Sequence, residues 1–174
     1  MKNIVVGVSG KDTGHAAISW AMEFASPTHT PVEFVHVVDN TWGGASDEYV
    51  ETALLRAEEK LRDTAAQAQS GHPQVPVSSH VLVGSPNDEL VAAASDAELL
   101  VIGAHPTEAR KGRRPVGIAS LATGSVVIVP TGPDQARNGV VVGVDGSAHS
   151  AGAIAFAAAL ADRYGEPLTA IYSW

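Results

Sequence analysis

Five runs of apolar, mostly β-branched residues lie within the first 130 residues of the chain, and segments with helical periodicity separate them. Short continuous runs of this kind are typical of parallel strands that are buried on both faces. The alternation of strand and helix predicts a doubly wound α/β fold, with right-handed crossovers and a five-stranded parallel sheet in the order 3-2-1-4-5. The runs are Ile4–Val8, Val32–Val38, Val75–Val83, Leu99–Ile102 and Val126–Val129.

The helical segments between these runs have recognisable starts and ends. The longest, Asp47–Gln69, carries an apolar stripe between charged residues and stops before Gly71, an expected helix end. Its carboxylates predict a solvated helix face rather than an acid/base pair. The turn at residues 84–86 predicts the start of the third helix. The other helical patterns cover Ala16–Ala25 and Val116–Ala122.

The chain contains an internal repeat. Shifting the sequence by 136 positions aligns Ile4–Val38 with Val140–Trp174 without a gap, and ten of the 35 pairs are identical. Both copies have a β-branched run that ends in glycine, then a helical pattern, a proline and a second apolar run, which is the pattern of a β-α-β unit. We therefore expect a complete module at residues 1–131, a linker at 132–138, and the first β-α-β of a second, incomplete module at 139–174.

Composition narrows the classes of function. The chain has 174 residues, a formal net charge of -8 and no cysteine. The negative charge argues against a nucleic-acid surface, and without cysteine neither a disulfide nor a thiolate metal site can form. No apolar run approaches the roughly 18 residues of a membrane span. We therefore expect a cytoplasmic protein that has neither a nucleic acid nor a membrane as its partner.

The stretch Gly7–Lys11, GVSGK, is incomplete both as a nucleophile elbow and as a P-loop. The elbow requires glycine at Lys11, and the P-loop requires glycine at Val5 and serine or threonine at Asp12. The seven histidines show no helical pairing with carboxylates of the kind that binds metals, and His36 is expected to be a hydrogen-bonded residue at the core or its rim. The sequence therefore predicts no catalytic residue and no metal site.

Several segments together resemble the universal stress protein family, in the order in which the family has them. They are the first strand IVVGV, the end of the second strand at His36–Asp39, the turn at 84–86, the strand Leu99–Gly103 and the closing strand Ser125–Val129. The resemblance covers residues 3–130 as one module and 139–174 as the first quarter of a second, so the chain looks like a tandem member cut short. It implies an adenine nucleotide alpha hydrolase-like fold and, as in nucleotide-binding members, ATP binding without an evident catalytic apparatus.

The resemblance also implies where a nucleotide would bind. In nucleotide-binding members an Asp at the end of strand one holds the ribose, and a Gly-x2-Gly-x9-Gly-Ser/Thr loop after strand four wraps the phosphates. Ser9 occupies the Asp position in the first module of this chain, and Asp145 occupies it in the second. Gly103 matches the first glycine of the loop, but Pro106 replaces the second and has no backbone N–H to donate. The phosphate site of the first module therefore looks eroded.

Two assignments are open for the last glycine of the loop, Gly112 and Gly117. Alignment back from Ser125 favours Gly112, which leaves the loop about four residues shorter than the family pattern. Arg113 and three further basic residues keep the loop positive, so the sequence is compatible with a solvated basic loop or with a residual phosphate contact. The candidate nucleotide contacts are Val8, Ser9, Val37, Gly103, His105, Gly112, Arg113 and Asp145.

The leading interpretation is a non-enzymatic universal stress protein, a stress-response regulator with an eroded nucleotide site in its first module. No tightly bound cofactor is expected, and ATP is expected to bind weakly. The alternative is an adenine-nucleotide-binding switch that retains residual contacts to the phosphate loop. A hydrolase of phosphorylated small molecules is a third, weaker hypothesis, because the candidate pocket offers no paired carboxylates and no nucleophile with its base.

Apolar residues in the second module predict a homodimer, formed through residues 139–174 or through the strand at 126–129. A lone β-α-β unit has no module of its own to cover its apolar faces. The residues that we expect to need a cover are Val140, Val142, Ile154, Phe156, Leu160 and Ile171.

Overall fold

The computed structural model describes residues 2–9, 12–41, 46–105, 115–131 and 138–172. The chain divides into two compact units, unit one at Met1–Gly132 and unit two at Pro133–Trp174. The described part of unit one forms five strands and four α-helices. They are β1 Ile4–Gly7, α1 Asp12–Ala25, a 3-10 turn Ser26–Thr28, β2 Val32–Val38, α2 Asp47–Gly71, β3 Val77–Val83, α3 Pro86–Ala93, β4 Leu99–Ala104, α4 Pro115–Leu121 and β5 Ser125–Pro130.

The strands of unit one form a single parallel sheet in the order β3-β2-β1-β4-β5, which confirms the predicted doubly wound architecture. The central strand β1 has a neighbour on each side. Ile4 pairs with Val32 of β2 on one side and with Leu99 of β4 on the other. Strand β1 is therefore fully paired and carries the residues that follow it to the middle of the sheet.

Helices cover both faces of this sheet. On one face, Leu90 of α3 and Ile118 of α4 belong to a buried cluster with side chains of the central strands. On the other face, α1 contacts β1 and β4, and α2 contacts β2 and β3. The strand residues of the α3–α4 cluster are Val5, Val35, Leu100 and Ile102.

Helix α2 is the longest helix described, and most of its surface is solvated. Ser46 begins it, because the Ser46 side chain accepts a hydrogen bond from the backbone N–H of Tyr49 at 3.2 Å. Leu61 is its one fully buried residue. The prediction of a solvated acidic face is confirmed, since its carboxylates at 47, 48, 51, 58 and 59 are all exposed.

Several predicted element boundaries differ from the structure by one or two residues. The prediction that α2 stops before Gly71 is wrong, because the helix includes this residue. Two predicted element starts differ by two residues or more, each for a local reason. Strand β3 begins at Val77 rather than Val75, because Pro76 has no N–H to give to the ladder. Helix α1 begins at Asp12, four residues before the apolar stripe, because its first turn is polar. Gly14 lies in that turn, where a Cβ would approach the Ser9 carbonyl oxygen to 2.7 Å.

Unit two forms the predicted extra β-α-β segment, with strands β6 Val140–Val144 and β7 Leu168–Tyr172 joined by helix α5 Ala148–Tyr164. The two strands are parallel, and Gly143 pairs with Ile171. Gly165 ends α5 in a left-handed conformation at φ 63°. The expectation that Val142 needs an outside cover is wrong, because this residue is only 6% exposed beneath α5.

Candidate functional site

The sheet order of unit one reverses at β1. The chain passes from β1 outward to β2 and β3, and then returns to β4 on the other side of β1. In open α/β sheets, ligands bind in the crevice at the carboxyl ends of the strands at such a point. The topology brings Val8 and Ser9 after β1 to the same end of the sheet as Gly103 and His105 of the β4 end. Val37 lies near the same end of β2.

Ser9, which stands at the Asp position of the family pattern, is engaged within its own turn. Its hydroxyl lies 2.5 Å from the hydroxyl of Thr13 in the first turn of α1. Sequence reasoning missed Thr13, although its position four residues after Ser9 was the available signal. The pair links two neutral hydroxyls, so it provides no charged acceptor for a ribose and no base for a nucleophile.

Gly103 has a packing role that the sequence did not indicate. A methyl group added at Gly103 would overlap the backbone carbonyl oxygen of Thr13. Gly103 therefore lets the start of α1 lie directly against the end of β4. The N-terminal turn of α1 occupies space next to the residue that the family pattern assigns to a phosphate loop.

His36 anchors the end of β1, as expected for a rim histidine. Its Nδ1 lies 2.7 Å from the carbonyl oxygen of Val8, and because a carbonyl can only accept, Nδ1 is the donor. The Val8 N–H in turn donates to the carbonyl of Val35 at 2.8 Å. Val37 packs against the buried cluster under α3 and α4. Val8 and Val37 thus already have roles in holding the strand ends together.

Two carboxylates that sequence reasoning did not select lie at the same end of the sheet. Asp39 follows β2 and accepts hydrogen bonds from the backbone N–H and the hydroxyl of Thr41, at 3.0 and 2.6 Å. Glu89 lies over the β3–α3 turn, where a Cβ at Gly84 would come within 2.6 Å of its Oε1. Gly84 has φ 154°, and its N–H donates to the carbonyl of Val38. Both carboxylates follow strands on the β2–β3 side of the sheet.

Asp145, the family-type residue of unit two, is held by the first turn of α5. Its Oδ1 accepts from the Ser150 hydroxyl at 2.5 Å and from the Ser147 backbone N–H at 2.9 Å. These hydrogen bonds lower the pKa of Asp145 from 3.8 to about 2. The bond from the Ser150 side chain has the largest effect, and the bonds from Ser147 follow. The carboxylate is therefore ionised at neutral pH and is already hydrogen-bonded to residues at the start of α5.

The depressed pKa of Asp145 gives a pH prediction for unit two. Its contribution to stability is present above pH 3.8 and is lost as the pH falls through about 2, because the folded state holds the proton less tightly than the unfolded state. NMR titration of the carboxyl carbon is expected to show a midpoint near 2. Ser150→Ala should raise it towards 3.8, whereas an unchanged midpoint would mean that the Ser150 hydroxyl does not hold the charge.

Of the three remaining candidate nucleotide contacts, the structure describes His105 but not Gly112 or Arg113. His105 is an exposed residue directly after β4. Gly112 and Arg113 lie outside the described residues, as do Pro106 and the rest of the basic loop.

The larger of two described cavities does not lie at the strand ends. It has a volume of about 690 Å³ and runs beside the edge strand β3, between α2 and α3. Glu33, Glu58 and Glu89 line it together with Arg62 and His80. The smaller cavity, of about 460 Å³, lies along the N-terminal half of α2.

Within the described ranges, no cluster of three histidine or carboxylate side chains has the geometry of a metal site. None of the helices in the described parts of the chain is long and apolar enough to cross a bilayer.

Comparisons with known proteins agree with the sequence resemblance. A sequence model of the universal stress protein family matches residues 1–130. A universal stress protein of Mycolicibacterium smegmatis is 32% identical over 98% of this chain and 63% of its own length. This chain thus spans less than two thirds of the length of the curated relatives that match 98% of it.

Solved structures extend the likeness to the fold. A universal stress protein from Archaeoglobus fulgidus in complex with dAMP is 25% identical, with a TM-score of 0.58 over 74% of this chain and 98% of that one. A second A. fulgidus structure, 17% identical, has a TM-score of 0.81 over 98% of this chain and 65% of its own, and it supports the fold alone. By the family match over unit one and the identity to its relatives, the chain belongs to the universal stress protein family.

Proposed function

We propose that this chain is a non-enzymatic universal stress protein, a stress-response regulator whose first unit has lost tight nucleotide binding. The Ser9–Thr13 hydroxyl pair carries the proposal, because it stands where nucleotide-binding members have a ribose-binding carboxylate. A neutral hydroxyl cannot make the charged hydrogen bond that a carboxylate makes to a ribose. The Ser9 hydroxyl would also have to break its contact with Thr13 before it could bind a ribose.

The contacts of Gly103 support the same proposal. A glycine in a phosphate loop is useful because its backbone can approach the phosphate oxygens closely. In this chain the Thr13 carbonyl oxygen lies so close to Gly103 that no side chain fits there. The partial negative charge of this oxygen also repels a phosphate. The replacement of the next loop glycine by Pro106 removes another donor.

The non-enzymatic part of the proposal rests on the partners of the crevice side chains. Ser9, the one hydroxyl placed directly after β1, has Thr13 as its partner rather than a base. The imidazole nitrogen of His36 that faces β1 donates to the Val8 carbonyl. Neither group is arranged as a nucleophile with its activating base.

An adenine-nucleotide switch is the second candidate function. The similar A. fulgidus protein was solved in complex with dAMP, and it is 25% identical to this chain. This likeness supports nucleotide binding as an alternative function. In this case residual contacts at Val8, Ser9, Val37, Gly103 and Gly112 would hold the nucleotide. The basic loop would attract the phosphates.

Native mass spectrometry of the protein purified under mild conditions distinguishes the two functions. The regulator without a tight site is expected to give the mass of the chain alone, without an adenine-nucleotide adduct. An adduct that persists through gel filtration, with the mass of ATP or another adenine nucleotide, would favour the switch.

We further propose that the protein forms a homodimer through β5, one of the two interfaces that the sequence suggests. Strand β5 is at the edge of the described sheet, and Ile128 on it is 37% exposed. An apolar edge strand with unpaired backbone groups favours pairing with a second copy. Antiparallel pairing of two β5 edges would extend the sheet across a two-fold axis.

Ile128→Lys is expected to weaken dimerisation by about tenfold or more, because it places a charge in the proposed interface. Light scattering over a concentration series measures this shift. Leu55→Lys, on the exposed side of α2, is the matched control and should leave the dimer intact. A wild-type protein that remains monomeric at the highest concentration would rule out the β5 interface.

A further inference from the structure

Strand β3 is an edge of the unit-one sheet that lacks the usual protection against strand pairing. Among the described strands it pairs with β2 alone, along all seven residues of Val77–Val83. Edge strands are commonly shortened, bulged, or interrupted by a charged residue or a proline. Strand β3 contains no proline, lysine, arginine or carboxylate, and its register with β2 is unbroken. A row of backbone N–H and C=O groups is therefore available for pairing along this edge.

The cavity of about 690 Å³ follows the same edge. Ser79–Leu82 of β3 form its floor, and residues of α2 and α3 form its walls. Its volume lies in the range of about 300 to 1,000 Å³ that ligand pockets usually have. The two helices thus stand apart at the sheet edge and leave room beside β3. We call the space between β3, α2 and α3 the β3 slot.

The two sides of the β3 slot belong to the two faces of the sheet. Leu82 packs against the buried α3–α4 cluster, so it points to the α3 side. Successive strand residues point to opposite faces, so Val81 points to the α2 side and His80 to the α3 side. An extended chain that lay along β3 would in the same way direct alternate side chains towards α3 and towards α2.

The α3 side of the slot is acidic. Glu33 points to this side, because it lies two residues before Val35 of the α3–α4 cluster. Glu89 of α3 is the second carboxylate there. The nearest basic group to Glu33 is His80, whose Nε2 lies 3.7 Å from the Glu33 Oε1 atom, and no lysine or arginine lines this side in the described residues. The α3 side therefore favours a positively charged side chain.

The α2 side of the slot has balanced charges and an apolar base. Glu58 and Arg62 of α2 line it together and carry opposite charges. Leu61, which is only 4% exposed, lies between them in the sequence and lines the same wall as part of the core. With Val81 beside it, this side suits a small apolar side chain.

The β3 slot is part of a complete module. The A. fulgidus protein that was solved with dAMP matches 74% of this chain along 98% of its own length, so a chain of about the size of unit one is a whole protein in that relative. Strand β3, α2 and α3 all lie within the residues that the family model matches. The walls and floor of the slot therefore come from unit one alone.

We propose that the β3 slot binds an extended basic segment of a partner protein, which adds to the five-stranded sheet as a further strand. Lysine or arginine at alternate positions of this segment faces Glu33 and Glu89, and the small apolar residues between them face Val81. The charges distinguish this partner from a second copy of the chain. Symmetric pairing of two β3 edges would bring the same carboxylates together, which is unfavourable.

A fluorescent hexapeptide that alternates lysine and valine tests the proposal on the full chain. Fluorescence anisotropy should rise to saturation with the wild-type protein, and a matched peptide with glutamate in place of lysine should not bind. The double variant Glu33→Gln, Glu89→Gln is expected to bind the lysine peptide about tenfold more weakly. The control variant Glu48→Gln, Glu98→Gln removes two exposed carboxylates that do not line the slot, and it should bind like wild type.

Amide hydrogen exchange with and without the lysine peptide identifies the edge that binds it. Protection should increase in Val77–Val83 and stay unchanged in β5, the other edge strand. The proposal is overturned if the wild-type protein does not bind the lysine peptide, if the two double variants bind it equally well, or if β3 gains no protection.

Exchange without peptide tests the other occupants of the slot. If the protection of β3 rises with protein concentration, the slot belongs to a second copy of this chain. If every amide of β3 is already protected in dilute protein, the slot is filled by the protein's own chain. Either result overturns the proposal, which requires that alternate amides of β3 exchange fast until the basic peptide is added.

Discussion

Gly103→Ala is expected to lower the free energy of unfolding by about 3 kcal/mol or more. The added methyl group would overlap the carbonyl oxygen of Thr13, which is backbone and cannot rotate away as a side chain can. Relief therefore requires α1 to move off the end of β4, and this movement would expose Ala17 and Ile18, which are now buried against the sheet. Urea denaturation followed by circular dichroism measures the loss.

Gly71→Ala is the matched control for this substitution. Gly71 is the last residue of α2, and a Cβ there meets nothing within 4 Å. Its replacement should leave stability unchanged or raise it by up to about 1 kcal/mol, because alanine restricts the unfolded chain more than glycine does. If the Gly103 variant were as stable as the Gly71 variant, the close approach of α1 to β4 would not be a feature of the folded protein.

Ser9→Asp is expected to improve ATP affinity by about tenfold and to leave it weaker than micromolar. One charged hydrogen bond contributes about 1.5 to 3 kcal/mol, so the loss of the ribose contact and one phosphate donor together costs about 3 to 6 kcal/mol. This corresponds to a loss of roughly a hundredfold to ten-thousandfold in affinity. The carboxylate restores only the first contact, and it must share its oxygens with the Thr13 hydroxyl, now 2.5 Å from Ser9.

Ser9→Ala provides the control for the ribose argument. If Ser9 makes no contact with a nucleotide, its removal should leave ATP affinity unchanged. A loss of affinity in the alanine variant would mean that the serine still binds the ribose. Low micromolar binding by Ser9→Asp would mean that the phosphate loop is intact despite Pro106.

The fold could be predicted because its determinants are local and repeated. Each buried parallel strand is a continuous apolar run, and right-handed crossovers leave few topologies for five such runs. The errors fall at element ends, where Pro76 and the polar first turn of α1 override the hydrophobic pattern. The β-α-β segment of unit two was predicted from its repeat, yet the burial of Val142 beneath α5 depends on packing that no local pattern reveals.

The candidate site could be predicted only in part. The sequence identified Ser9 as a departure from the family pattern, but it did not indicate Thr13 as its partner. Gly103 matched a phosphate-loop glycine by position, whereas the structure adds a second reason for glycine, its approach to the start of α1. Gly103 and Thr13 lie about 90 positions apart in the sequence, and residue spacing gives no signal for a contact at this separation. The predicted contacts at Gly112 and Arg113 lie outside the described residues and stay predictions.

Calorimetric titration of the full chain with Mg-ATP tests most directly whether unit one has lost tight nucleotide binding. Loss of the ribose carboxylate and of backbone phosphate donors should move a micromolar site to a dissociation constant of about 1 mM, for which the heat signal is weak and does not saturate. A saturating isotherm with a dissociation constant in the low micromolar range, at one ATP per chain, would contradict this result and establish the nucleotide switch as the function.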